Sequence, residues 1–367
     1  MAGRTPTERF PEVNRNVLTR RALAGIAVAA LALAGCSSND SNSGTGDNTG
    51  EENEYASLSG TLTASGASFP DAYYQEVIVA FEEVAPDVTV TYNSVGSGTG
   101  KEEFGQGLTD FAGTDSLVKE GQGPELGSFF YLPTVAAPIT VSYNLPSVQN
   151  LQLSADTLAN IFQGAITSWN DPAIAADNPD DELPATAITV VHRSDGSGTT
   201  SNFTKYLDAA SDAWTLGSGD TVAWPATAQG GERNTGVAQL VNQSEGAIGY
   251  VDLSDAKATG LTFAAIQNVD GEFVQPTLEG ATAALEGAEV ADDLSYNPLN
   301  AAGAAAYPIT APTYILVKNS YDDEAKGELV KAFLKFLLTD GQDLAADVDF
   351  ASLPTSLRDQ ALAKLDA

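Results

Sequence analysis

The residues best suited to chemistry lie in the segment Arg193–Thr200, which reads Arg-Ser-Asp-Gly-Ser-Gly-Thr-Thr. The apolar run before it predicts a strand, and the pattern after it predicts a helix. Small residues at such a turn leave backbone N–H groups open, and a helix N-terminus gathers them with a partial positive charge. Ser197 and Thr199 add hydroxyl donors, and Arg193 adds a charged, planar fork of donors. The segment therefore predicts a receptor for a small oxyanion.

Two further segments have the same character. Ala64–Pro70 follows a predicted strand and opens a predicted helix, with Pro70 suited to the first helical turn. Val95–Gly100, which reads Val-Gly-Ser-Gly-Thr-Gly, also joins a strand to a helix. One glycine- and serine-rich loop alone is typical of a turn or a helix cap. Three such loops in one chain, one of them carrying an arginine, favour a single anion site to which all three contribute.

Asp115 could supply the selectivity of such a site. A carboxylate repels an anion unless the anion carries a proton that the carboxylate can accept. Phosphate at neutral pH keeps at least one proton, whereas fully ionised sulfate has none. A buried acceptor left unpaired costs about 1–3 kcal/mol, so Asp115 predicts selection of phosphate over sulfate. Asp195 is expected to orient Arg193 and to balance part of its charge. Either aspartate could instead be a turn or cap residue.

The elements that must position these residues read as an α/β fold. Short β-like runs alternate with helical patterns from Leu58 onward, including a helix opening near Lys101, which favours mainly parallel sheets. Val135–Tyr143 and Pro308–Val317 are long β-like runs that contain proline, and each is a candidate crossover between two lobes. Two apolar stripes at helical spacing predict core-facing helices: Tyr73, Val77 and Phe81, then Leu329, Phe333, Phe336 and Leu337.

Composition narrows the class of ligand. At 367 residues the chain is long enough for two lobes, and 17 Lys+Arg against 49 Asp+Glu give a formal net charge of -32. This charge argues against nucleic acids and anionic membranes as partners. An anion site must therefore act through local donors, because fields are screened beyond about 10 Å at 0.1 M salt. One histidine and one cysteine predict neither a metal nor a cofactor, and a metal- or cysteine-dependent hydrolase lacks its parts.

The N-terminus predicts export. Arg20 and Arg21 precede Ala22–Ala34, an apolar run too short to span a membrane. The run ends in Leu-Ala-Gly-Cys36, which resembles the lipobox of a bacterial lipoprotein and implies cleavage before Cys36 and acylation of its thiol. An ordinary signal peptide that passes a cysteine is the alternative. Residues 37–57 are rich in Ser, Asn, Gly and acidic residues, which predicts a flexible tether. The expected location is the extracytoplasmic face of the cell membrane, reached through a lipid anchor.

The three loops, Asp115, the lipobox and the later segment Glu245–Val251 together resemble the phosphate-binding protein of the bacterial high-affinity Pst-type ABC phosphate importer. The resemblance runs from about residue 58 to the end. It implies a two-lobed type II periplasmic-binding-protein fold with the ligand in the interlobe cleft and a hinge of two crossover strands. The expected divisions are a signal peptide at 1–35, a tether at 36–57, lobe I at 58–137 and 308–367, and lobe II at 138–307.

Carried over residue by residue, the resemblance implies a set of phosphate contacts: Ser68, Phe69, Ser97, Asp115, Arg193, Ser197, Gly198 and Thr199. Asp195 would pair with Arg193. A monomer is expected to close on inorganic phosphate and deliver it to a permease and ATPase complex. Three alternatives stay open: a receptor for another oxyanion such as sulfate or molybdate, a phosphate-sensing surface protein, and a phosphatase. A phosphatase with Ser197 as nucleophile would need a base that the sequence does not identify, so we do not expect an enzyme.

Overall fold

The computed structural model describes residues 53–286 and 288–367. The expected signal peptide, Cys36 and most of the expected tether therefore lie outside the described residues. The end of the tether needs a correction, because residues 53–57 belong to the folded body. Tyr55 is buried and makes edge-to-face contacts with Phe81 and Phe336, at centroid distances of 5.6 and 5.7 Å. Burial of an aromatic ring contributes to folding, so the body begins several residues earlier than Leu58.

Strands and helices alternate along the described chain. The strands are β1 (Ser59–Gly66), β2 (Asp87–Ser94), β3 (Phe111–Thr114), β4 (Phe129–Tyr143), β5 (Gln152–Leu153), β6 (Thr189–Arg193), β7 (Gln229–Gly231), β8 (Ala247–Asp252), β9 (Thr262–Phe263), β10 (Ala265–Gln267), β11 (Phe273–Val274), β12 (Thr310–Lys318) and β13 (Ala351–Ser352). The α-helices are α1 (Asp71–Val84), α2 (Ser97–Gly105), α3 (Ala155–Phe162), α4 (Pro172–Asp177), α5 (Gly198–Ala210), α6 (Arg233–Gln243), α7 (Leu253–Thr259), α8 (Leu278–Leu285), α9 (Glu324–Leu338) and α10 (Thr355–Leu365), with a 3₁₀ helix at Asp340–Val348.

Two groups of strands share β4. The strand order is β2-β1-β3-β12-β4 in the group that we call lobe I, and it continues as β8-β6-β7 in lobe II. The long strand β4 pairs with β12 as far as Pro138 and with β8 from Ile139 onward. The sheets are mixed rather than mainly parallel. Pairing is parallel among β1, β2 and β3 and among β6, β7 and β8, but β12 and β4 run antiparallel to their neighbours.

The apolar stripes that the sequence predicts are the core-facing sides of two helices. Tyr73, Val77 and Phe81 are buried along α1, and the ring of Phe81 lies 5.3 Å from the rings of both Phe333 and Phe336 on α9. Residues three and four apart share a helix face, so each helix buries one side against the other. This packing holds α1 over the strands of lobe I, and it fixes where the first turn of the helix lies.

Three strand-to-helix junctions set up the site. β1 leads into α1, β2 leads into α2, and β6 leads into α5, so the first turns of three helices follow the carboxyl ends of parallel strands. In α/β proteins this edge is where ligands bind. Gly66 lies at the end of β1 with φ +149°, and a Cβ there would come within 2.1 Å of the Gly113 carbonyl oxygen. Glycine is therefore required for β1 and β3 to pair closely beside the predicted loop.

Candidate functional site

Arg193 is the last residue of β6, and its guanidinium is fixed on two sides. Nε and Nη2 donate to the two carboxylate oxygens of Asp195, at 2.8 and 2.5 Å. Nη1 donates to Oδ1 of Asn234 at 2.7 Å. Arg193 is only 4% exposed. Burial opposes ionisation of Asp195, but the hydrogen bonds and charge of Arg193 outweigh it and hold the pKa of Asp195 below its usual value. The structure therefore pairs Asp195 with Arg193, and the role of Asp195 in orienting the arginine toward a ligand stays a prediction.

The first turn of α5 carries three of the predicted contacts. Ser197 is the N-cap, and its hydroxyl accepts from the backbone N–H of Thr200 at 3.1 Å. The cap interpretation is thus correct for Ser197, although a capping hydroxyl still has its own proton to donate. Gly198 and Thr199 begin the helix, so their backbone N–H groups have no acceptor within it. The Thr199 hydroxyl is buried and has no hydrogen-bond partner among the described residues.

The first turn of α2 faces the first turn of α5. Ser97 opens α2, four residues earlier than the sequence pattern places the helix start, and its side chain is buried. The backbone N–H of Gly98 donates to the Gly196 carbonyl across the cleft at 3.0 Å. A Cβ at Gly198 would come within 2.6 Å of both the Ser97 Oγ and the Asp115 Cβ. The two lobes therefore meet through glycines, and side chains there would hold them apart.

Asp115 directly follows β3 and is 2% exposed. The Thr313 hydroxyl donates to its Oδ1 at 2.7 Å. Its Oδ2 has a long contact of 3.4 Å with the Ser97 Oγ. Burial raises the pKa of Asp115 to about 7, although Thr313 and the charge of Arg193 both favour the ionised form. A buried carboxyl group poised near neutral pH can hold a proton or accept one, which is the property that the sequence argument requires.

The third predicted loop closes the site from lobe I. Ser68 is 7% exposed, and its hydroxyl lies 3.4 Å from the backbone N–H of Asn234 in lobe II. The Phe69 ring is buried edge-to-face on Phe350, at a centroid distance of 5.8 Å. Packing of this ring fixes the backbone of the loop just before α1. Ser68 and Phe69 therefore lie on the lobe I side of the cleft, and Ser68 is within reach of the residues that hold Arg193.

Several residues of the cleft have no local sequence signal. Lys101 is 2% exposed, and its Nζ donates to the Ser116 Oγ at 3.0 Å and to the Asp220 carboxylate at 2.7 Å. This ion pair joins lobe I to lobe II. The Asn202 amide donates to the Asp115 carbonyl at 2.6 Å, which is another contact between the lobes. Their partners are distant in sequence, so only the folded chain reveals them.

The arrangement of polar groups in the cleft is chemically suited to bind an oxyanion. It combines a buried guanidinium, hydroxyl groups, the open amides of helix N-termini and one carboxyl group that can exchange a proton. His192, the single histidine, lies within β6 and stacks on Trp224 at a centroid distance of 5.1 Å. No cluster of side chains suited to a metal ion occurs within residues 53–286 and 288–367. Over the same residues, no helix has both the length and the apolar character needed to cross a membrane.

Similarity to known proteins agrees with this geometry. Residues 51–341 match the model of the PBP superfamily domain. The phosphate-binding protein PstS of Haemophilus influenzae is 37% identical over 305 residues, which span 81% of this chain and 90% of that protein. PstS3 of Mycobacterium bovis is 36% identical over 351 residues, spanning 91% and 94%.

Solved structures agree on the fold. A high-affinity periplasmic phosphate-binding protein (PfluDING) bound with phosphate matches with a TM-score of 0.68 and 23% identity, over 83% of this chain and 93% of that one. A phosphate ABC transporter substrate-binding protein from Clostridium perfringens matches with a TM-score of 0.61 and 19% identity, over 80% and 100%. The predicted two-lobed type II fold is confirmed. The chain belongs to the PstS family of phosphate-binding proteins within the PBP superfamily.

Proposed function

We propose that this chain captures inorganic phosphate in the cleft between its lobes and delivers it to an ABC importer. The relatives from Haemophilus influenzae and Mycobacterium bovis, at 37% and 36% identity, are phosphate-binding proteins by name. The cleft supplies donors for the oxygens of an anion through Arg193, Ser197 and the first amides of α5. Asp115 supplies the acceptor for the proton that phosphate keeps, and this feature favours phosphate over sulfate.

The observation that carries the proposal is the Thr199 hydroxyl. It is buried at the first turn of α5, and no described residue accepts from it or donates to it. A buried polar group without a partner costs about 1–3 kcal/mol, so native structures keep few of them unless function requires it. A phosphate oxygen at this helix N-terminus would give the hydroxyl an acceptor. The unfavourable burial in the free protein would then become a favourable contact in the complex.

Binding and closure would be one event. Ser68, Ser97 and Asp115 belong to lobe I, while Arg193 and Thr199 belong to lobe II. A phosphate that touches both sets stabilises the closed arrangement by contacts that an open one lacks. We propose that the hinge is formed where the chain passes between the two lobes, near residues 137/138 and 307/308. In this role the protein binds and releases phosphate without altering it, and the permease and ATPase complex of the importer receives the closed form.

The test replaces Thr199 by valine, which has nearly the same shape without the hydroxyl. Thr199→Val is expected to weaken phosphate binding by roughly 5- to 150-fold, the equivalent of about 1–3 kcal/mol, with no loss of stability. Thr109→Val is the matched control, because the Thr109 hydroxyl is also buried without a partner among the described residues but lies outside the cleft loops. Calorimetric titration with phosphate, arsenate and sulfate measures both variants. Equal phosphate affinities for the two variants would remove the main support for the proposal.

We also propose that the mature protein is a lipid-anchored monomer on the extracytoplasmic face of the membrane, held through Cys36. The support is the apolar run of Ala22–Ala34 that ends at the only cysteine. Metabolic labelling with a palmitate analogue tests this, with Cys36→Ser as the control. Label retained by Cys36→Ser would contradict the anchor. A mass measurement of the purified protein in solution tests the monomer.

A further inference from the structure

Asn234 joins the two lobes at the arginine. It is the second residue of α6 and is fully buried. Its side-chain oxygen accepts from Nη1 of Arg193 at 2.7 Å, and its side-chain nitrogen donates to the Asp252 carboxylate at 2.8 Å. Its backbone N–H lies 3.4 Å from the Ser68 hydroxyl of lobe I. Asn234 therefore contacts two of the predicted phosphate-binding residues, one from each lobe, without belonging to the predicted set.

Asn234 accepts the third hydrogen bond that the Arg193 guanidinium donates within the protein. Arginine has five N–H donors, of which Nε and one on Nη2 bind Asp195 and one on Nη1 binds Asn234. Asp195 alone holds one edge, and the group could still tilt about that edge. Asn234 holds a second point and stops this motion. Two N–H donors remain, and their directions are set, which is the condition for strong binding of an oxyanion.

Asp252 fixes which way the Asn234 amide points. A guanidinium only donates, so the amide oxygen must face Arg193 and the amide nitrogen must face the other partner. Asp252 is that partner, and its other oxygen caps α7 by accepting from the backbone N–H of Asp255 at 2.9 Å. If the side-chain amide of Asn234 were flipped, its NH₂ group would face the guanidinium, and two donors would oppose each other. The hydrogen-bond network from Asp252 to Arg193 is therefore satisfied in only one orientation of this amide.

We propose that Asn234 is a positioning residue for phosphate binding, which acts by locking the Arg193 guanidinium while Asp252 holds the amide of Asn234 in the required orientation. This inference rests on the proposed binding of phosphate at Arg193. Partners that orient a binding group, without touching the ligand, commonly change affinity by about 10- to 100-fold when removed.

The test uses the chain from residue 36 onward, the predicted mature protein, which has only three arginines: Arg193, Arg233 and Arg358. Asn234→Ala is expected to weaken binding of inorganic phosphate by roughly 10- to 100-fold. Asn242→Ala is the matched control, because Asn242 lies on the same helix with an exposed side chain; it should bind like the wild type. Nitrogen NMR of the arginine side chains supplies a second readout. Hindered rotation of the Nη groups of Arg193 should be lost in Asn234→Ala and kept in Asn242→Ala.

Asn234→Asp keeps the size of the side chain, and it can be tested even if Asn234→Ala does not fold. Its carboxylate can still accept from Nη1, and Asp252 can take up the proton that this new neighbour requires, because burial already raises the pKa of Asp252 well above its usual value. This variant should keep the slow Arg193 signal and lose less affinity than Asn234→Ala.

Two outcomes for Asn234→Ala would overturn the inference. One is an unchanged phosphate affinity in Asn234→Ala. The other is a weakened affinity with Arg193 signals identical to the wild type, which would mean a merely structural role. If Asn234→Ala does not fold, an Asn234→Asp variant with a mobile Arg193 and unchanged affinity would overturn it. Absence of phosphate binding in the wild type would instead overturn the proposed function, and the arginine signals would still show whether Asn234 holds the guanidinium.

Discussion

Sulfate should bind this protein only when Asp115 carries a proton, and its affinity should therefore fall as pH rises. Asp115 is 2% exposed, and Thr313 satisfies one of its carboxylate oxygens at 2.7 Å. The other oxygen has only the long Ser97 contact of 3.4 Å, so it is free to share a proton with a ligand. Phosphate brings that proton. Sulfate brings none, so the proton must already be on Asp115.

The magnitude follows from the pKa of Asp115. Burial raises it from 3.8 to about 7, and the nearby charges of Arg193 and Asp220 act in opposite directions on it. With a pKa near 7, about nine-tenths of Asp115 is protonated at pH 6 and about one-tenth at pH 8. The sulfate affinity should therefore decrease about tenfold from pH 6 to pH 8. Phosphate should change less, because it can supply its own proton on either side of this range.

Calorimetric titration at pH 6 and pH 8 measures this directly. Asp115→Asn presents a permanent N–H donor, so it should bind sulfate equally at both pH values and bind phosphate more weakly than the wild type. Asp322→Asn removes the same charge at an exposed position and should behave like the wild type. A wild-type sulfate affinity that is equal at pH 6 and pH 8, or an Asp115→Asn variant that keeps its preference for phosphate, would refute the reasoning.

The same pKa has a consequence for stability. A carboxyl group whose pKa is higher in the folded state than in the unfolded chain stabilises the fold most fully below its unfolded pKa. That contribution is lost as pH rises through the folded pKa. The free energy of unfolding of the ligand-free protein should therefore decrease between about pH 4 and pH 7. The decrease should be smaller in Asp115→Asn than in Asp322→Asn. Chemical unfolding at several pH values compares the two.

Three further substitutions test the cleft. Arg193→Ala should cost about 2–5 kcal/mol of phosphate binding, because it removes charged donors and leaves Asp195 without its partner; titration compares it with Arg358→Ala on α10. Gly198→Ala should weaken phosphate binding clearly and lower the melting temperature only slightly, because its methyl group would lie 2.6 Å from Asp115 across the cleft. Gly219→Ala is the control, since the nearest atom to its methyl group would be 3.5 Å away, and it should change neither the affinity nor the melting temperature. Lys101→Met removes the ion pair between the lobes and should lower phosphate affinity severalfold; an affinity equal to the wild type would show that this pair does not support closure.

Local sequence pattern was enough to find the three loops. Each loop stands between an apolar run and a helical pattern, and the contacts that build a strand-to-helix turn lie within a few residues. The structure places all three at one cleft, and it brings Asp195 onto Arg193 as expected. The sequence places the start of α2 four residues too late, near Lys101. Ser97–Gly100 has little helix propensity, and contacts across the cleft hold this first turn in place.

The hydrogen-bond partners of the site residues cannot be predicted from local sequence pattern. Thr313 holds Asp115 from a strand 198 residues away, and Asn234 approaches Ser68 from 166 residues away. No periodicity or spacing encodes such pairs, because they depend on how the two lobes come together. One signal was present for Asn234: it follows Gly230 and Gly231 at the start of a helix, which is the same kind of junction as the other three. The preceding strand, Gln229–Gly231, is short and has no apolar run that would mark the junction in the sequence.

The acidic composition is compatible with an anion site because two buried cations of the cleft, Arg193 and Lys101, are already paired. Arg193 is matched by Asp195, and Lys101 is matched by Asp220, so neither contributes a free positive charge. The field of the remaining surface charge is screened within about 10 Å at 0.1 M salt. What a phosphate meets at close range is therefore a set of fixed dipoles and directed N–H and O–H donors. Attraction of this kind depends on geometry far more than on net charge, and this explains why a chain with a formal charge of -32 needs both Asp195 and Asn234 to hold one arginine still.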